Sequence, residues 1–196
     1  MAGIPPHAGR GQRGARVTPR RLAALGVVLV AVAALAVGGW LLTRDSSKST
    51  TTATRSVTPL GPVASTPATL LTFAKALGRP IYWAGPQPGA TYEFTETRVG
   101  NVYVRYLAQG VQVGDRRPAF PVVGTYPSVG ALAALEAVAG GKRTNLKGGG
   151  IVVSTAADPK SVHIAYPGID YQIEVYDPVA GQALAIALSG RVRPVH

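Results

Sequence analysis

The sequence predicts an α+β domain, a small antiparallel sheet of hairpins with about three helices on one face, preceded by one transmembrane helix. Three observations carry that prediction. Leu22–Leu42 is apolar throughout. Runs that alternate apolar and polar residues pair up around short turns containing Gly, Asn or Pro. Between these pairs stand stretches with apolar residues at helical spacing, an arrangement that suits helices lying on one side of an antiparallel sheet.

In chain order, residues 1–21 come first. They are Gly-, Pro- and Arg-rich with no apolar periodicity, and read as a disordered basic tail. Leu22–Leu42 follows as LAALGVVLVAVAALAVGGWLL, without a charge or a strongly polar side chain. At about 1.5 Å per residue it spans roughly 30 Å as a helix, the thickness of a bilayer's hydrocarbon core. Five arginines precede it (Arg10, Arg13, Arg16, Arg20 and Arg21), whereas Arg44 and Lys48 follow it. The positive-inside rule then puts the N-terminus in the cytoplasm and the rest of the chain outside. The run is longer than the apolar stretch of about 7–15 residues in a cleaved signal peptide, so an uncleaved signal-anchor is expected. Residues 43–66 are Ser/Thr/Pro-rich and read as a linker that holds the domain off the membrane.

Residues 67–196 form the expected exported domain. Thr66 caps a first helix begun by Pro67, with Leu70, Phe73, Ala74 and Leu77 on its apolar side and Gly78 closing it. Residues 80–84 read as a short strand. Thr91–Val99 and Val102–Leu107 form a hairpin about Gly100-Asn101, a two-residue turn signal. Residues 110–121 read as a loop, and Val122–Tyr126 as a strand. Ser128 is expected to cap a second helix with Leu132, Leu135 and Val138 on its stripe, ended by Gly140-Gly141. Lys142–Gly149 reads as a basic, glycine-rich loop and Ile151–Ser154 as a strand. Val162–Tyr166 and Tyr171–Tyr176 make a second hairpin. Asp177-Pro178 opens a last helix carrying Leu184 and Leu188, before a tail from Arg191 to His196. The order helix, glycine, strand, hairpin occurs twice, which is the pattern of a duplicated unit.

The net charge of +11 does not imply nucleic-acid binding. The tail carries five basic residues and no acid, while the exported domain holds 12 basic against 8 acidic residues, an ordinary solvated surface. With no cysteine, disulfides, a thiol nucleophile and Cys-ligated metals are excluded.

No catalytic, cofactor or metal motif is expected. His163 alternates with Val162 and Ile164 in a strand, and nearby Ser161 is read as facing the opposite way, which denies it a nucleophile. Gly140-Gly141-Lys142-Arg143-Thr144 departs from a phosphate loop, because Arg143 stands where Ser or Thr is needed. Glu93 and Glu96 face opposite sides of one strand. Asp170 and Glu174 share strand parity two pleats apart, and Asp177 reads as a helix cap. Tyr82, Trp83, Tyr103 and Tyr106 are the candidate partner-binding aromatics, an expected face for glycan or peptide.

GRPIYWAGP, YEFTETRVGNVYVRYLAQGVQVGDRRP, AYPGIDYQIEVYDP and LSGRVRPV together resemble the domain of membrane-anchored proteins of unknown function from high-GC actinobacteria, over roughly Leu70–Val195. The resemblance implies an envelope location and supplies no activity or site residue. The expectation is a non-enzymatic envelope protein that contacts the lipid bilayer and binds an envelope protein or cell-wall polymer. An enzyme acting on envelope polymers through carboxylates, or a sensor signalling through the basic tail, are the alternatives.

Overall fold

The computed structural model describes residues 61–196. The expected tail, the transmembrane segment Leu22–Leu42 and residues 43–60 of the linker lie outside the described residues. Among the described residues no helix is long and apolar enough to cross a membrane.

The domain is built from ten strands and three helices: β1 (Val63–Ser65), α1 (Pro67–Leu77), β2 (Tyr82–Trp83), β3 (Thr91–Glu96), β4 (Val102–Leu107), β5 (Val122–Pro127), α2 (Ala131–Glu136), β6 (Lys142–Asn145), β7 (Ile151–Ser154), β8 (Ser161–Ala165), β9 (Tyr171–Tyr176), α3 (Gln182–Leu188) and β10 (Arg193–Pro194). Eight strands form one sheet in the order β1-β3-β4-β5-β9-β8-β7-β6, antiparallel at every junction. The chain meanders through β3, β4 and β5, crosses by α2 to the far edge, and meanders back to set β9 beside β5. β2 and β10 make a separate two-stranded ribbon.

Side-chain alternation gives the sheet two unlike faces. The inner face carries Tyr92, Phe94, Val102, Val104, Tyr106, Val123, Val152, Val162, Ile164, Ile173 and Val175, and packs against α1, α3 and the ribbon in one core. The ribbon is held to that face by polar bonds as well. Thr125 Oγ1 accepts from the Tyr82 amide at 3.0 Å, and Tyr106 Oη accepts from the Ala84 amide at 2.6 Å. On the outer face, a second, smaller cluster joins Ala131 and Leu135 of α2 to Ile151, Val153 and Ala165.

This corrects the expectation of three helices on one face. α1 and α3 cover the inner face, and α2 covers the outer one. The cause is legible in β7, whose Ile151, Val152 and Val153 are all buried. A strand buried on both sides needs cover on both sides.

The expected N-cap of α1 is present: Thr66 Oγ1 accepts from the Thr69 amide at 3.1 Å, and Gly78 closes the helix at φ 62°. Other boundaries differ. The β3–β4 connection is not a two-residue turn. Gly100 N–H donates to Thr97 O and Thr97 N–H to Asn101 O, a three-residue loop with Gly100 at φ 83°. α2 starts after Gly130, not at Ser128, whose amide instead donates to Asp170 O at 2.9 Å. α3 starts after Gly181 and buries Ala183 and Ala187, leaving Leu188 exposed. Asp177 fixes the turn before it by accepting from the Val179 amide at 2.8 Å. The linker's last residues form β1, Lys142–Asn145 is an edge strand where a loop was expected, and the C-terminal tail contributes β10. The repeated element order does not become a repeated fold, since α1 and α2 lie on opposite faces and, of the corresponding strands β2 and β7, only β7 joins the main sheet.

Candidate functional site

Of the four aromatics singled out from sequence, three belong to the interior. Tyr82, Trp83 and Tyr106 are 3%, 6% and 4% exposed. Trp83 meets Tyr92 edge-on at 5.8 Å, and Tyr92 meets Tyr106 at 5.4 Å. Burial raises the phenol pKa values of Tyr82 and Tyr106. The expected aromatic face of these four residues is therefore not a surface. Strand parity separates them: Tyr106 shares the inner face with Val102 and Val104, whereas Tyr103 points to the outer face.

Tyr103 leads to the site. On the outer face, register pairs Thr95 with Tyr103, Tyr103 with Gly124, Gly124 with Glu174, Glu174 with His163, and His163 with Val153. One row thus crosses β3, β4, β5, β9, β8 and β7. Two flanking structures cover the ends of this face. Toward β3, the loop 108–121 folds over the sheet: Gly114 N–H donates to Glu93 Oε2 at 2.6 Å, Arg105 donates to Asp115 O at 2.7 Å, and Tyr176 Oη donates to Pro118 O at 2.8 Å. Toward β7, α2 lies on Ile151, Val153 and Ala165. Between them Tyr103, Tyr126, Gln172 and His163 remain partly exposed.

Gly124 makes room in this strip. A Cβ there would come within 2.7 Å of Tyr126 Oη, so the Tyr126 ring lies across the glycine and reaches the next strand. There Tyr126 Oη donates to Glu174 Oε2 at 2.5 Å, and Ser161 Oγ donates to Glu174 Oε1 at 2.9 Å. Tyr103 and Tyr126 meet edge to face at 5.7 Å. Burial above all, and then the Glu174 charge, holds the Tyr126 phenol well above its usual pKa, so it stays a donor. His163 Nδ1 lies 2.9 Å from Gln172 Nε2. Burial lowers the imidazole pKa, an effect partly opposed by Glu174 and then Asp158. Thr95 Oγ1, at the end of the row, is buried with no hydrogen-bond partner among the described residues.

Ser161 and His163 therefore share a face, contrary to the sequence reading. They are two residues apart, and a strand returns to the same side every second residue. Their hydrogen bonds still do not make a nucleophile and base. The hydroxyl donates to Glu174, and the imidazole meets Gln172. Asp170 and Glu174 have separate tasks as well: Asp170 Oδ1 accepts from Gly130 N–H at 3.1 Å and positions the start of α2. Glu93 faces Arg105 on the outer side, and Glu96 pairs with Arg79 at 2.9 Å. Among the described residues no group of three His, Cys, Asp or Glu side chains is placed to hold a metal ion.

Compared with family models, curated proteins and solved structures, the chain finds no match in any of the three.

Proposed function

We propose that this is a single-pass membrane-anchored envelope protein whose α+β domain lies outside the membrane and binds a partner there, an envelope protein or cell-wall polymer, without chemistry of its own. The topology rests on the apolar run Leu22–Leu42 and the arginines gathered before it. The observation that carries the binding role is the outer-face strip. Loop 108–121 and α2 cover the sheet on either side of it, while Tyr103, Tyr126, Gln172 and His163 keep polar atoms and aromatic rings within reach of solvent. Partly exposed aromatics flanked by amide, imidazole and carboxylate groups suit recognition of a ligand with both apolar and polar parts. The hydroxyls and the carboxylate already satisfy one another, which suits a fixed recognition surface better than a reacting centre.

Two measurements test the reading. Protease added outside intact cells should digest residues 67–196 and spare a membrane-embedded fragment containing Leu22–Leu42. A photo-crosslinking residue placed at Tyr103 should capture an envelope component that one placed at Ala68, an exposed residue of α1, does not. Protection of the domain from external protease overturns the topology. Equal capture from both positions overturns the binding face.

A further inference from the structure

Two buried glutamates lie on the outer face, and they are satisfied in different ways. Glu93, fully buried, has its charge met by this chain: Arg105 Nη1 donates to Oε1 at 2.7 Å and Gly114 N–H to Oε2 at 2.6 Å. Glu174 is 4% exposed and, among the described residues, receives only hydroxyl donors, from Tyr126 and Ser161. Among the described residues no ion pair involves it. Each of its two oxygens is met by one of these hydroxyls. Burying a carboxylate without a cation is costly, and Glu93 shows how the same sheet face avoids that cost.

The surroundings of Glu174 favour a cation brought from outside. Tyr103 and Tyr126 stand beside it edge to face, both partly exposed, and tyrosine ring faces attract cations. His163, its cross-strand neighbour, is held toward the neutral form by burial and so offers it little positive charge.

We propose that the strip receives an alkylammonium group, the side chain of a lysine on a peptide partner, with the ammonium directed at Glu174 and the stem lying along Tyr103 and Tyr126. Lysine is favoured over arginine by access. Glu174 is only 4% exposed, and a compact ammonium on an unbranched stem is slimmer than a planar guanidinium. The inference rests on the strip being the domain's binding face and adds the chemical class that it selects.

The test compares two acetylated, amidated tripeptides, Gly-Lys-Gly and its norleucine counterpart, titrated into the full chain in detergent micelles. Aromatic resonances of Tyr103 and Tyr126 report binding. The lysine peptide should bind about tenfold or more tightly than the norleucine peptide, the order of one charge-assisted hydrogen bond. Glu174→Gln should abolish that preference. Equal affinity for the two peptides in the wild-type chain overturns the ammonium assignment and needs no variant to fold. Absence of binding by both overturns it too. If crosslinking from Tyr103 still captures a partner in either case, the binding face survives while the ligand class falls. If that capture also fails, both fall.

Discussion

Removing Arg105 should be among the most damaging single changes in the domain. Among the described residues its guanidinium is the only cation paired with fully buried Glu93, at 2.7 Å, and it also donates to the carbonyls of Asp115 at 2.7 Å and Arg117 at 3.2 Å. Its Cζ lies 5.4 Å from the centre of the Phe120 ring. Arg105→Met keeps the stem but strands a carboxylate in the interior and frees loop 108–121 from two anchors. Breaking a buried pair by removing one partner costs about 3–5 kcal/mol. With a urea slope of about 1–3 kcal/mol/M, the midpoint should fall by roughly 2 M. The measurement is equilibrium urea unfolding followed by fluorescence of buried Trp83 in a Trp40→Phe background. The double variant Glu93→Leu/Arg105→Met should recover a large part of the loss, because it removes the stranded charge. A loss below about 1 kcal/mol for Arg105→Met, or a double variant as unstable as the single, would refute the argument that the uncompensated carboxylate dominates.

Three further outcomes are expected. Gly150→Ala should destabilise by about 1–3 kcal/mol in thermal or urea unfolding, because the new Cβ would sit 2.4 Å from Tyr166 Cδ1 and 3.0 Å from the Ala165 carbonyl. Thr66→Ala should cost about 1 kcal/mol through loss of the α1 cap, and Thr66→Ser should restore it. His163 has its pKa lowered in the folded state, chiefly by burial, so unfolded chains bind the extra proton first on acidification. Its contribution is therefore fully present above the unfolded value of about 6.5 and is lost as pH falls through the folded value. Stability measured between pH 7.5 and 5 should decline less steeply in His163→Gln than in the wild-type chain.

The sequence signals that worked were those with a local physical cause. Thr66-Pro67 and Gly78 delimit α1 because capping and positive φ act within a turn. The alternation in Tyr92–Phe94 and Val102–Tyr106 set the correct inner face for β3 and β4. What remained hidden depends on long-range pairing. Lys142–Asn145 has a strand's extension but a polar composition, because it is the sheet's outermost strand and buries little. Val63–Ser65 looks like linker until β3 supplies its partner. The side of the sheet chosen by α2 could have been anticipated from the unbroken burial-prone run Ile151-Val152-Val153. The site was within reach of the same parity rule: Ser161 and His163 are two apart, and Glu174 shares parity with Gln172. Only the β4–β5 and β5–β9 registers, however, bring Tyr103, Tyr126 and Glu174 together.

β1 also sets how the domain answers to force. Any pull transmitted through the residues before Pro62 reaches the fold through Val63–Ser65, a strand joined to the sheet along only three register pairs at its outermost position. Because none of its residues is a principal core side chain, the strand can let go while Leu70 and the rest of α1 stay packed. Its release would pay out about 10 Å of extra chain, at roughly 3.3 Å per residue. Under such a pull β1 would act as a short elastic reserve: load is spent first on β1, and the strip at the middle of the sheet feels it last.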